Sequence, residues 1–175
     1  DTLIVRQFEN YIDPSLKFCI IYNDGVVSSE QINENILAPL MVIKIHSSEN
    51  ILEEISRRVI QIGDIKNSDS VKEIVESIAF GDTVLFSEGS NRVLILSTKS
   101  FVTQSISEPE GEKNLSGPRE GFNESLMTNL SLIRRRLRTN ELKIKTLSIG
   151  RLSATKVAVC YIGSIVNHDL LNNLM

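Results

Sequence analysis

The chain has no tryptophan, and aromatic residues make up only 5% of its 175 positions. With so few rings, and none interleaved with basic residues, the stacking platform used to grip single-stranded nucleic acid is missing. Cysteine is nearly as scarce. Cys19 and Cys160 each sit inside an apolar run (KFCIIY and KVAVCYI), with no C-x-x-C and no metal-ligand spacing to His46 or His168. That argues against a disulfide framework or a metal site, and reads as two buried thiols of a reducing compartment. Long apolar runs are absent too: the longest, from Val157 to Val166, is about half of what a membrane span needs. No signal-peptide pattern opens the chain at Asp1, and it reads as a soluble piece of a longer protein.

An excess of positive charge is also lacking, with a net of −3 and a pI near 5.5. The charge is unevenly spread. Residues 1–110 carry nine Lys/Arg against seventeen Asp/Glu, a net of −8, whereas residues 111–175 carry ten against five, a net of +5. An acidic first part and a basic second part point to two units with different faces.

What is present is a pattern of short strands and one-sided helices. Residues 3–8 and 16–22 are β-branched and apolar, the second run almost continuously so, as a strand buried on both faces would be. Asn23-Asp24-Gly25 makes a turn. Ser28 with Gln31 is a capping-box pattern leading into Ile32, Ile36 and Leu40, and Pro39 is expected to end or kink that helix near Ala38. A second helix is expected from near Ser48, with a stripe of Ile51, Leu52, Ile55 and Val59 and i,i+4 pairs Glu53–Arg57 and Glu54–Arg58. A third, capped by Ser70 with Glu73, should bury Val71, Ile74, Val75 and Ile78 and stop at Gly81. Residues 83–87 and 92–97 read as a hairpin, followed by one more strand at 101–106. Residues 107–121 are rich in Pro, Gly and charge, a linker. Beyond it come a helix (124–138), two strands (143–149 and 156–162) and the start of a helix (167–175). The expectation is an α/β protein of two small subdomains, each a mixed sheet with packed helices: 1–106, then 122–175, the second probably incomplete.

The stretch SGPREGFNESLMTNLSLIRRRLRTNELK, residues 116–143, is the most distinctive. Asn123 is placed as N-cap, with Phe122 and Met127 as a hydrophobic staple around it. Leu126, Leu130, Ile133 and Leu137 form a narrow stripe, which sends Arg135 to solvent and sets Arg134 and Arg136 on its rim. Three readings of the arginines stay open: cations complementing the helix dipole, an ion-pair surface, or an anion, lipid or nucleic-acid contact. Gly117 and Gly121 do not form a phosphate loop, no serine lies in G-x-S-x-G, and no residue set supports catalysis.

The run Gly117-Pro118-Arg119-Glu120-Gly121-Phe122, with Glu124, Leu126, Asn129, Leu132 and Ile133-Arg134-Arg135-Arg136-Leu137, resembles the signature of the A subunits of GerA-type spore germinant receptors. Ser107-Glu108-Pro109-Glu110, residues 145–150 and 155–162, and the block from Cys19 to Gly25 are similar as well, so the resemblance covers nearly the whole chain. It implies the N-terminal domain of a membrane-anchored receptor that senses amino acids, sugars or nucleosides and triggers germination. The implied partners are the B and C subunits and the nutrient, with the membrane reached through an absent C-terminal domain and a homo-oligomer left open. Its implied place is the spore inner membrane, on the core side. Neither an enzyme, nor a cofactor, nor a metal, nor a nucleic-acid partner is expected. Arg119, Glu120, Asn123, Asn129, Arg134, Arg135 and Arg136 are the candidate ligand- or partner-binding residues. The alternative is a nutrient held in the cleft between the subdomains, where Arg119, Asn123 and Asn129 would meet a carboxylate or hydroxyls.

Overall fold

Runs rich in β-branched and apolar residues supply four strands of one five-stranded sheet, β1 (Leu3–Glu9), β2 (Lys17–Asn23), β4 (Thr83–Ser87) and β5 (Val93–Leu96), and the polar segment β3 (Ile65–Ser68) adds the fifth. The computed structural model describes residues 2–45, 50–100 and 121–175. They fall into two units, one formed by Thr2–Ser100 with Arg138–Asn140, the other by the described parts of Phe101–Leu137 and Glu141–Met175. The expected strand at 101–106, the linker up to Glu120, the start of a helix near Ser48 and the His46 position lie outside the described residues.

The strand order is β1-β2-β4-β5-β3. Every pairing in this sheet is antiparallel, where a mixed sheet was expected. The connections explain the difference. β3, helix α4 (Val71–Phe80) and β4 form a β-α-β unit whose strands run the same way, but β5 slots between them and is antiparallel to both.

One face of the sheet carries the main core. Phe18, Ile20, Leu85, Leu94 and Leu96 point into it and meet Ile32, Ile36, Leu40, Leu52 and Ile55 from the helices. On the other face Val84, Val93 and Ile95 pack against Ile74 and Ile78 of α4. β2 is accordingly half-buried in alternation rather than enclosed on both faces. The expected burial of Val71 and Val75 does not occur: they are 74% and 36% exposed. α4 meets the smaller face through a narrow ridge, so only two of its four aliphatic positions reach the sheet.

Helix boundaries follow local chemistry. The Ser70 hydroxyl accepts the Glu73 amide at 3.4 Å and caps α4, while the Glu73 carboxylate turns instead to Lys66 and Ser68. At the other end Gly81 takes φ +99°, a left-handed cap that only glycine adopts without strain. α3 (Ile51–Arg58) carries both expected ion pairs, Glu53–Arg57 at 2.7 Å and Glu54–Arg58 at 3.5 Å.

Pro39 does not end its helix. Helix α1 (Ser29–Ile32) runs into a π-helical turn (Asn33–Leu37) and on into α2 (Ala38–Val42). Proline lacks an N–H and its ring collides with the carbonyl four residues back. The wide turn removes the conflict: Ala38 donates to Asn33 five residues back, and the Asn35 carbonyl accepts from the Gln61 amide at 3.4 Å.

Asn10, which the sequence reading passed over, ties the end of this helix to the β1–β2 connection. It is fully buried. Its Nδ2 donates to the carbonyls of Leu40 (2.7 Å) and Ile43 (2.9 Å), and its Oδ1 accepts from the amides of Ile12 (2.8 Å) and Asp13 (2.9 Å). All the bonding capacity of the amide is used.

Candidate functional site

The second unit holds the signature helix α5 (Leu126–Arg136), the strands β6 (Leu142–Ile149) and β7 (Thr155–Ile162), and α6 (His168–Leu174). β6 and β7 form an antiparallel hairpin in register from Leu142↔Ile162 to Ile149↔Thr155.

α5 begins two residues later than Asn123 predicts. Ser125 is the N-cap, its hydroxyl accepting from the Thr128 amide at 3.3 Å. Asn123 lies just outside, where its Oδ1 accepts from the Ser125 amide at 2.9 Å. The Asn129 side chain then closes on it: Asn123 N–H donates to Asn129 Oδ1 at 2.8 Å, and Asn129 Nδ2 donates to the Asn123 carbonyl at 2.7 Å. The two asparagines named as ligand candidates are thus brought together and hold each other. With the cap moved, Phe122 and Met127 no longer bracket it; they are 70% and 38% exposed, and the expected staple is not formed.

The helix faces also differ from the expected stripe. Leu130 and Leu132 are both buried, although at 100° per residue they lie on nearly opposite sides of the axis. Leu137 is 46% exposed because the helix has already ended at Arg136. Arg134 and Arg135 are half-buried and Arg136 is exposed, so Arg135 is not the solvent-facing member. Cover on several sides of the helix, rather than one stripe, explains the change.

Arg134 lies beside Cys160 on β7. Burial pulls its guanidinium below the ordinary value, with Cys160 acting the other way; burial likewise raises the Cys160 thiol, with Arg134 offsetting part of that. Both cysteines are free and half-buried rather than enclosed. Arg119 and Glu120 lie outside the described residues.

Two arrangements in the first unit were missed. Phe80 is bracketed by cations, Lys99 Nζ at 4.3 Å and Arg138 at 4.4 Å from the ring centre. Lys99 also reaches the buried Asp82 carboxylate at 3.0 Å. Burial raises the Asp82 carboxyl and Lys99 opposes that rise. Phe80 and Asp82 flank the end of α4, whereas Lys99 and Arg138 come from distant parts of the chain, and only the position of Arg138 just after the arginine run hinted at a role. The second is a polar cavity of about 580 Å3, formed by the first turn of α3, Arg57, Asn67 of β3 and the β4–β5 turn with Ser90 and Arg92. Amides, hydroxyls and guanidinium groups equip it for a small polar solute rather than an apolar one. Among the described residues no group of three or more His, Cys, Asp or Glu could hold a metal, and no helix is long and apolar enough to cross a membrane.

Comparison with known proteins places this geometry. The family model described as Bacillus/Clostridium GerA spore germination protein matches residues 1–175. Spore germination protein KA of Bacillus subtilis (strain 168) is 27% identical over 98% of the chain, which covers 32% of that protein. Spore germination protein A1 of the same organism is 33% identical over 77% of the chain, covering 28% of it. The chain thus spans about a third of the length of these curated relatives. Among solved structures, the N-terminal domain of the A subunit of the Bacillus megaterium spore germinant receptor GerK3 superposes with a TM-score of 0.76 at 28% identity, over 99% of this chain and 62% of that one. On the whole-chain match, the protein belongs to the GerA family of spore germination proteins.

Proposed function

We propose that this chain is the N-terminal domain of a germinant receptor A subunit and takes part in sensing nutrients and passing on the signal that starts germination. The observation that carries the reading is the fold shared with the GerK3 A-subunit domain over 99% of the chain. In this reading the domain is a receptor component, not an enzyme. It works with B and C subunits at the spore inner membrane, on the core side, and α5 offers a basic partner-facing surface. The exposed Arg136 is the member of the arginine run best placed for that docking. Spores whose receptor carries Arg136→Glu should lose nutrient-triggered germination or receptor accumulation, while the isolated chain keeps its melting temperature. Normal germination by that variant sinks the docking role. Spores lacking the gene that respond unchanged to every amino acid, sugar and nucleoside sink the receptor reading itself.

Nutrient binding by the domain is a second reading, favoured by the polar cavity beside α3. Calorimetry with the same nutrients decides it: no heat at millimolar concentration leaves recognition to another subunit.

A further inference from the structure

The β6–β7 hairpin reaches out of its unit. Every residue from Ser148 to Val157 is exposed. Its tip is aliphatic: Leu152 is 97% exposed, Ile149 54% and Val157 37%. Around the tip stand three exposed cations, Lys145, Arg151 and Lys156, and no Asp or Glu occurs anywhere between Glu141 and Asp169. The strand backbones are paired with each other along the full register. The turn is fixed as well. Gly150 takes φ +90° and its carbonyl accepts from the Ala154 amide at 3.0 Å. The left-handed φ at Gly150 strains any residue with a Cβ, so this close turn favours glycine. Arg151 and Leu152 are therefore held outward at the end of a stiff arm.

We propose that this hairpin is a lipid-contacting element, which rests the domain on an anionic bilayer surface with Leu152 in the headgroup–acyl boundary. The charge pattern selects the occupant. An acidic protein face would be recognised through a broad surface with mixed charges to set its register, whereas this tip is one projecting leucine with cations of a single sign behind it. That combination suits a soft, negatively charged interface, where aliphatic insertion and cation attraction add. Lys156 sits one residue pair below the last pair of the hairpin and Lys145 four below, about 13 Å at the usual strand rise. The register sets Lys145 on the face of Ile149 and Val157 and sets Lys156, opposite Ser148, on the other face. Cations thus flank the arm on both sides, and their long side chains can bend back to the headgroups. The proposal goes beyond the receptor reading and does not depend on it.

The test is co-sedimentation of the 175-residue chain with vesicles of phosphatidylcholine, with and without phosphatidylglycerol. The chain should pellet only with the anionic vesicles, and less at high salt. Neutralising one cation, as in Lys156→Gln, should weaken binding about five-fold. Leu152→Ser should weaken it about ten-fold, because a leucine side chain leaves the interface. As the chain has no tryptophan, Leu152→Trp supplies a single indole, whose emission should shift to the blue on vesicle addition. Circular dichroism checks that the variants remain folded; if they do not, sedimentation of the unaltered chain decides. A chain that stays in the supernatant with anionic vesicles at low salt overturns the proposal. So does an indole that stays in water while the chain is bound. A vesicle-inert chain that instead binds an acidic protein would replace the lipid reading.

Discussion

Replacing Asn10 by alanine should be among the most damaging single changes in the first unit. Four hydrogen bonds end on that one amide, and the Asn10 side chain itself is fully buried. Of its partners, the Leu40 carbonyl lies in the buried part of the network, whereas the other three bonds are only partly buried. Orphaning a buried backbone group costs roughly 1–3 kcal/mol and a partly wet one less, so Asn10→Ala should lose about 3–5 kcal/mol. With a typical dependence on urea, that is a midpoint lowered by about 2 M. The assay is urea unfolding followed by the amide NMR signals of the first unit. Asn10→Asp refines the test: Oδ1 still serves Ile12 and Asp13, but an oxygen now faces the Leu40 and Ile43 carbonyls. Burial and those carbonyls would raise the folded pKa of the new carboxyl. Its stability should then be greatest below the ordinary Asp value near 4 and fall as pH rises through the raised one. A midpoint shift below about 0.5 M for Asn10→Ala would refute the view that this amide fastens α2 to the β1–β2 connection.

Two further outcomes are expected. Asn129→Ala removes both bonds to Asn123 and should cost about 1 kcal/mol, little because the site is exposed, yet free the Asn123 amide to exchange quickly; an unchanged exchange rate at Asn123 argues against the clasp. Asp82 has a carboxyl raised by burial, so its contribution is fully present below the unfolded value near 4 and is lost as pH rises through the folded one. The stability difference between the native chain and Asp82→Asn should therefore shift against the native chain over that interval and level off above it. A difference that is flat in pH contradicts the raised value.

Local signals in the sequence were reliable where the chemistry is local. Ser28, Ser70 and Gly81 stand at helix ends as read, and both glutamate–arginine pairs of α3 form. The strands β6 and β7 and the α/β character were also legible. What escaped depends on partners distant in sequence. β3, with the sequence IKNS, has no strand pattern of its own and is held by its register with β5. Val71 and Val75 look like core by spacing, but the breadth of the face opposite decides how many positions are covered. Around α5, a serine two residues further on took the cap from Asn123, and the asparagine pairing across six residues has no periodic signature. The Phe80 cluster needs three separate segments to meet, the Phe80–Asp82 stretch, Lys99 and Arg138.

The π-helical turn before Pro39 has a consequence for how relatives should be aligned. A wide turn holds one residue more than an α-helical turn, so it acts as a one-residue insertion without breaking the helix. Here it brings Ile32, Ile36, Leu37 and Leu40 all to the buried side, which a uniform 100° step would spread over a wider arc. A relative with one residue fewer between Ile32 and Leu40, and no proline, would keep the flanking helices in phase and have no carbonyl at Asn35 to offer Gln61. A gap at this place in an alignment is therefore compatible with an unchanged core, and the proline and the extra residue belong together as one feature.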